Sequence, residues 1–405
     1  MTTVSIGLPR PGAGQSGPIS RCAAARAHKT IVLAGGGTGG HISPGLAIAE
    51  RVRALDPTAR VHFACSARTI DATMLREAGG EFTAVRAEGF APSPKGVLRF
   101  VLGLLRARRD AGAMLDEVQP DWVVSLGGFV TPPVVAAARR RGIPVLLLNL
   151  DATPGRANRW VRARATKTVS AVGVPGIQGF ATDIIGMPIR RVAIAPASQE
   201  LCRAELGLDP RAPVLLITGA SQGAQSLNDL AIALAKDARE DFREWQVLHL
   251  CGEGAAGGVA RYERAWREAG VRAAVLPFLH RMGVAWGAAE LALSRAGASS
   301  VAEALANRVP TVFAPYPYHR DQHQKANAQP LVDAGGAAME VDRVDARANM
   351  TGIGSTLLDL MRDAGRRHTM RGALATMAPP DSAEQVAEFL IRGREFRGWS
   401  AATSH

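Results

Sequence analysis

The stretch Ile31-Val32-Leu33-Ala34-Gly35-Gly36-Gly37-Thr38-Gly39-Gly40-His41 drives an apolar run straight into five glycines within six positions. A helical pattern, 42–55, follows with no spacer. A strand that feeds a side-chain-free turn and then a helix is the opening unit of a parallel α/β sheet. It brings unpaired helix N–H groups to a point where an anion or a sugar can reach the backbone. His41 is the first ionisable side chain beyond the turn.

The same alternation runs through the chain. Short apolar runs at 30–34, 60–65, 82–86, 122–126, 144–149, 167–172 and 183–186 predict strands, with helical patterns between them. A proline in Met187-Pro188-Ile189-Arg190-Arg191 breaks the series, which restarts at 213–218, 246–251, 272–276, 291–294, 310–314 and 337–341. The second series opens on another small-residue turn, Thr218-Gly219-Ala220-Ser221-Gln222-Gly223-Ala224. The expectation is two Rossmann-like, doubly wound α/β domains facing a cleft, because ligands of such sheets sit beyond the carboxyl ends of the strands. The boundaries expected are a disordered leader at 1–28, domains at 29–188 and 189–375, and a C-terminal segment, 376–405, whose amphipathic stretch 382–396 packs back as a helix.

Composition narrows the partners. The net charge of +12 is nearly all arginine, lysine standing only at 29, 95, 167, 236 and 325, and it favours an anionic partner. No nucleic-acid-binding motif accompanies it. Four scattered cysteines, Cys22, Cys65, Cys202 and Cys251, form no metal-ligand spacing and read as reduced thiols of the cytosol. No apolar run reaches the roughly 18 residues of a spanning helix, and the first residues lack the apolar core of a signal peptide.

The turns also exclude chemistries. Gly35, Gly37 and Gly40 satisfy GxGxxG, yet the second strand ends Cys65-Ser66-Ala67-Arg68 without the carboxylate that holds the ribose of a dinucleotide; Arg68 keeps a 2′-phosphate cofactor, NADP, open, but that reading leaves the second glycine turn unexplained. Neither turn continues into the GK[ST] of a P-loop. A neutral His41 at a helix N-terminus can accept a proton from a hydroxyl; the plainer reading is a solvated capping histidine. Ser221 offers a hydroxyl and backbone N–H groups to a phosphate, although an ordinary N-cap uses the same atoms. Ser294-Arg295-Ala296-Gly297-Ala298-Ser299-Ser300-Val301-Ala302-Glu303 forms a third strand-to-helix turn, so two neighbouring N-termini suit a diphosphate and Glu303 a ribose. The polar run 315–327 opens a helix at the same edge, and its amides read sugar hydroxyls. Between Lys95 and Arg109, Val97, Leu98, Phe100, Val101, Leu104 and Leu105 make a segment apolar on more than one face: either a buried helix or a seat on an anionic leaflet.

Taken in order, GGGTGGHISPGLA (35–47), LGGFVTPP (126–133), IPVLLLNLDATPGRANRW (143–160), GMPIR (186–190), GASQGAQSLN (219–228), SRAGASSVAEAL (294–305) and DQHQKAN (321–327) resemble the MurG family of peptidoglycan N-acetylglucosaminyltransferases, two-domain enzymes of the GT-B fold. The resemblance spans about residues 30–341. It implies transfer of GlcNAc from UDP-GlcNAc to undecaprenyl-diphospho-muramoylpentapeptide (lipid I), giving lipid II, at the cytoplasmic face of the membrane, with inversion, no cofactor and no metal. It places Leu279 at the uracil, Glu303 at the ribose, and Arg190, Ser221 and Ala298, Ser299 and Ser300 at the diphosphate, with Val301 and Ala302 continuing that turn. It places Gln324 and Asp151 at the sugar, Thr38, Gly39 and Gly40 over the donor, and His41 as candidate base with Asp151 second. Segment 95–109 corresponds to the membrane seat. The chain departs where the family has His-Glu-Gln-Asn, carrying Leu148-Asn149-Leu150-Asp151 instead. It also has Phe129 for a tyrosine, Met187 for an asparagine and one extra residue before His323-Gln324. These departures keep a different GT-B sugar enzyme, an epimerase or a non-catalytic UDP-sugar binder in view.

Overall fold

Two parallel sheets, each wound outward from its first strand, carry the chain. The computed structural model describes residues 28–37, 39–87, 94–219, 223–318 and 322–399, with 94–102 described by backbone alone. The first sheet holds β1 (Thr30–Gly35), β2 (Arg60–Ser66), β3 (Glu81–Val85), β4 (Trp122–Gly127), β5 (Val145–Asn149), β6 (Lys167–Ser170) and β7 (Asp183–Ile184) in the order β3-β2-β1-β4-β5-β6-β7. The second holds β8 (Val214–Thr218), β9 (Gln246–Leu250), β10 (Ala273–Leu276), β11 (Leu291–Ser294), β12 (Thr311–Phe313) and β13 (Ala337–Met339) in the order β10-β9-β8-β11-β12-β13. The strand order reverses at β1/β4 and at β8/β11, the switch points where open α/β sheets bind ligands. All thirteen expected strands are present, with ends moved by at most two residues. They are legible because helices cover both faces: β1, β5, β8 and β9 are buried at every position, so each reads as a continuous apolar run.

Two helix ends differ from expectation. The first helix, α1, spans Gly39–Leu55, three residues earlier than the pattern predicts. Periodicity has no signal in glycine, which carries no side chain to place on a face. The last, α15 (Ser382–Arg392), stops four residues early because Gly393 turns left-handed (φ +68°) and caps it by bonding Phe389 O. Phe396 still returns to the core, stacked on Phe389 at 4.8 Å between ring centres.

The two lobes meet at a seam organised by α1. Its Glu50 accepts from Arg190 Nε (3.1 Å) and from the backbone N–H of Arg191 (3.0 Å), in the first passage between lobes. Its neighbour Arg51 donates to Asp381 (2.7 Å), the N-cap of α15, on the returning passage. The returning helix α15 then packs along α1, and Val386, Ala387, Phe389 and Leu390 join the first-lobe core.

Candidate functional site

In the first lobe, the turn after β1 is held from two sides. Helix α2 (Thr69–Glu77) supplies Asp71, fully buried, whose Oδ2 accepts from Gly37 N–H (2.8 Å), Ser66 Oγ (2.5 Å) and Ser66 N–H (3.2 Å). Arg68, just before α2, donates to Gly37 O (2.6 Å) and lies over the Phe129 ring. On the other side Gly128 (φ +84°) sits so close that a Cβ there would stand 2.3 Å from Gly36 O. Any other residue at 128 pushes the two turns apart.

His41 lies in the third position of α1, its ring over Gly127: a Cβ on that glycine would stand 3.1 Å from Nε2 and 3.2 Å from Asn158 Oδ1. Burial holds the imidazole below its ordinary proton affinity, and the carboxylates of Asp151 and Asp71 oppose that effect. Asp151 follows β5 and is half-buried. Its carbonyl accepts from Asn149 Nδ2 (2.8 Å), and Asn149 also bonds Ser170 Oγ (2.9 Å) and Asn158 Nδ2 (3.0 Å). The Asn149 amide, where the MurG pattern has glutamate, thus shapes the loop by hydrogen bonds in both directions.

In the second lobe Gly219, just past the end of β8, lies close against Ala224: a Cβ on Gly219 would stand 2.1 Å from Ala224 N. Helix α7 (Gln225–Asp237) follows it, and α10 (Ala298–Ala306) follows β11. The N-termini of α7 and α10 therefore rise from the carboxyl ends of adjacent strands, at the switch point. Beneath them Arg295, 7% exposed, bonds Asp342 (2.7 Å), Ser226 Oγ (2.9 Å) and Ala314 O (2.9 Å). Asp342 in turn accepts from Ser226 Oγ (2.6 Å) and Asn349 Nδ2 (2.9 Å). On α10, Glu303 accepts from Trp286 Nε1 (2.8 Å), and burial pushes its carboxyl up to about 7.

Between the lobes, the backbone N–H of Ala152 donates to Asn327 Oδ1 (3.3 Å). Asn327 lies on α11 (His323–Asp333), one turn beyond Gln324, whose Oε1 accepts from Tyr316 N–H (2.8 Å). The residue after Asp151 therefore touches the helix that carries Gln324. Ala298 and Ala302 pack against the first-lobe cluster that includes Met187.

The structure brings His41, Gly39, Gly40 and Asp151 together at one sheet edge, and Ala298, Ser299, Ser300, Val301, Ala302 and Glu303 together on α10 across from it. Leu279, half-buried, packs on the second-lobe core. Arg190 is engaged by Glu50, Nε to Oε1 at 3.1 Å. Thr38 and Ser221 lie outside the described residues, as do the side chains of Val97, Leu98, Phe100 and Val101. Of the expected membrane seat, α3 (Pro94–Val118) shows Leu105 59% exposed and Leu104 half-buried, while Ala107, Ala111, Met114 and Leu115 face the core. A crevice of about 370 Å³ beside it is lined by Arg108, Arg109, Arg140 and Arg141, with Asp116 in the same wall paired to Arg141 (2.7 Å). No helix of the described residues is long and apolar enough to cross a membrane.

Sequence reasoning passed over Asp71, Glu50 and Trp286. Asp71 carries a signal, an acid in the first turn of the helix after the second strand. Glu50 and Trp286 sit in ordinary amphipathic helices and declare themselves only through their partners.

Comparison with known proteins completes the picture. Residues 31–170 match the glycosyltransferase family 28 N-terminal domain, and residues 214–386 match its C-terminal domain. A relative from a Nocardioides species is 37% identical over 89% of this chain and 97% of its own length. One from Mycolicibacterium smegmatis is 34% identical over 89% and 93%. Both bear the name UDP-N-acetylglucosamine–N-acetylmuramyl-(pentapeptide) pyrophosphoryl-undecaprenol N-acetylglucosamine transferase. Among solved structures, Acinetobacter baumannii MurG aligns with a TM-score of 0.69 at 24% identity, covering 90% of this chain and 99% of that one. A putative UDP-N-acetylglucosamine 2-epimerase from Listeria monocytogenes aligns at 0.62 and 11% identity, covering 92% and 99%, a likeness of GT-B fold alone.

Proposed function

The chain belongs to glycosyltransferase family 28, and from that premise we propose how it transfers N-acetylglucosamine from UDP-GlcNAc to a lipid-linked muramyl peptide, forming lipid II for peptidoglycan. The observation that carries the reading is the seam: the loop holding Asp151 touches the helix holding Gln324, within one sheet edge of His41. Donor and acceptor sites therefore open onto the same space.

In this reading neutral His41 takes the proton of the acceptor hydroxyl as its oxygen bonds to the anomeric carbon. The bond to UDP breaks with its electron pair going to the diphosphate, which inverts the configuration. Backbone N–H groups at the starts of α7 and α10, with Ser221, Ser299 and Ser300, stabilise that growing charge, joined by Arg190 once it leaves Glu50. Glu303 holds the ribose, the backbone of Leu279 the uracil, and Gln324 with Asp151 the hexose. Thr38, Gly39 and Gly40 cover the donor, excluding the water that would hydrolyse it. The domain division is 29–188 and 189–375, and α15 of the segment 376–405 returns to the first lobe. Exposed Leu105 and the arginine-lined crevice at α3 support seating on the anionic cytoplasmic leaflet.

The test is transfer from labelled UDP-GlcNAc to a lipid I analogue. His41→Ala lowers kcat about 10²–10⁴-fold, the worth of a positioned base, and leaves UDP affinity within twofold. Full activity in that variant overturns the assignment of the base.

A further inference from the structure

We infer that Asp71 is a positioning residue of this transfer, fixing the glycine turn and supplying a buried negative charge beside His41. The inference rests on the reading of His41 as the base. Its first support is geometric. Asp71 is fully buried, and one carboxylate oxygen gathers three donors, among them the backbone N–H of Gly37. With Arg68 holding the carbonyl of that same glycine, both polar groups of one peptide position are tied to α2. The turn that leads into His41 thus has its shape set from outside its own sequence.

The second support is what the carboxylate leaves undone. Its other oxygen, Oδ1, has no hydrogen-bond partner among the described residues. A capping role alone needs no such group; serine or asparagine accepts from a backbone N–H at less desolvation cost. Its charge does act on its neighbours: it raises the proton affinity of His41, as Asp151 does from the end of β5, and it adds to the burial that pushes the Cys65 thiol up to about 12. Arg68, the residue before α2, is the cation bonded to that same glycine. When His41 takes the hydroxyl proton, an imidazolium forms in a buried place, and a carboxylate already fixed there stabilises it without reorganising.

Two substitutions separate the roles. Asp71→Asn keeps an oxygen for Gly37 and removes the charge. It lowers kcat about tenfold and moves the acidic limb of the kcat–pH profile to lower pH, because His41 loses part of its proton affinity. Asp71→Ala removes the tie as well and costs about a hundredfold, the scale of a misplaced catalytic group. Asp71→Glu restores the position of the acidic limb. UDP affinity, a property of the other lobe, stays within twofold throughout. A folded Asp71→Asn enzyme with the wild-type rate and pH profile overturns the inference. Where the Asp71 variants do not fold, Ser66→Ala removes one donor to the same oxygen and lowers kcat several-fold; an unchanged kcat there overturns it equally. An active His41→Ala enzyme defeats the underlying reading instead. An inactive one beside Asp71 variants that keep the wild-type rate and pH profile defeats this inference alone.

Discussion

The two lobes share a fold and differ in how their buried polar groups are satisfied. In the second lobe, Arg295, Asp342, Ser226 and Asn349 close a network around the bases of α7 and α10. In the first, Asp71 Oδ1, Ser125 Oγ and Asn158 Oδ1 are buried without hydrogen-bond partners among the described residues. Unsatisfied buried groups are costly, and they gather where chemistry rather than stability governs the choice of residue. The second lobe is thus closed beneath α7 and α10, and its own such atom among the described residues, Asn327 Nδ2, lies at the seam with the first lobe.

Perturbing each lobe tests that difference. The largest effect is expected in the second-lobe network: Asp342→Ala strands a buried guanidinium and costs about 3–5 kcal/mol of stability, read by denaturant unfolding. A loss below 1 kcal/mol would erase the contrast. Glu303→Ala comes next, weakening UDP binding by about 1–3 kcal/mol in calorimetry. Burial lifts the Glu303 carboxyl to about 7; a ribose held there as proposed favours the charged form, so the expected outcome is that wild-type affinity falls as pH drops below about 7. Glu303→Gln flattens that dependence.

A completed network also has a titration signature. His249, on β9, is buried against Asn228 and Trp266, and burial lowers its pKa to about 3. The unfolded chain binds that proton near pH 6.5, so stability is intact above that value. It declines as pH falls toward 3, by about 1.4 kcal/mol per unit; His249→Gln removes that slope. The smallest effect belongs to the first lobe. Asp151→Asn leaves stability unchanged and shifts the acidic limb of kcat to lower pH, since one carboxylate near His41 is gone. An unshifted limb would leave Asp71 as the sole carboxylate acting there.

Legibility in the sequence follows the same division. The strands were readable because burial on both faces writes itself as unbroken apolar runs, and Gly35 through Gly40 because a close approach excludes side chains. Glu303 was readable as a carboxylate on a third turn, but its partner Trp286 stands 17 residues away on another helix. Asp71 meets Gly37 across 34 residues, and Glu50 meets Arg190 across 140. Such pairings depend on where strands dock, which local periodicity does not encode. The start of α1 escaped for a related reason, since a run of glycine shows no face to count.

Glu50 and Arg51 stand side by side, and each grips one of the two passages by which the chain crosses between lobes. Both crossings are therefore tied to one turn of α1, whose opposite end carries the glycines and His41, so the same helix that presents the candidate base also anchors the two junctions of the lobes.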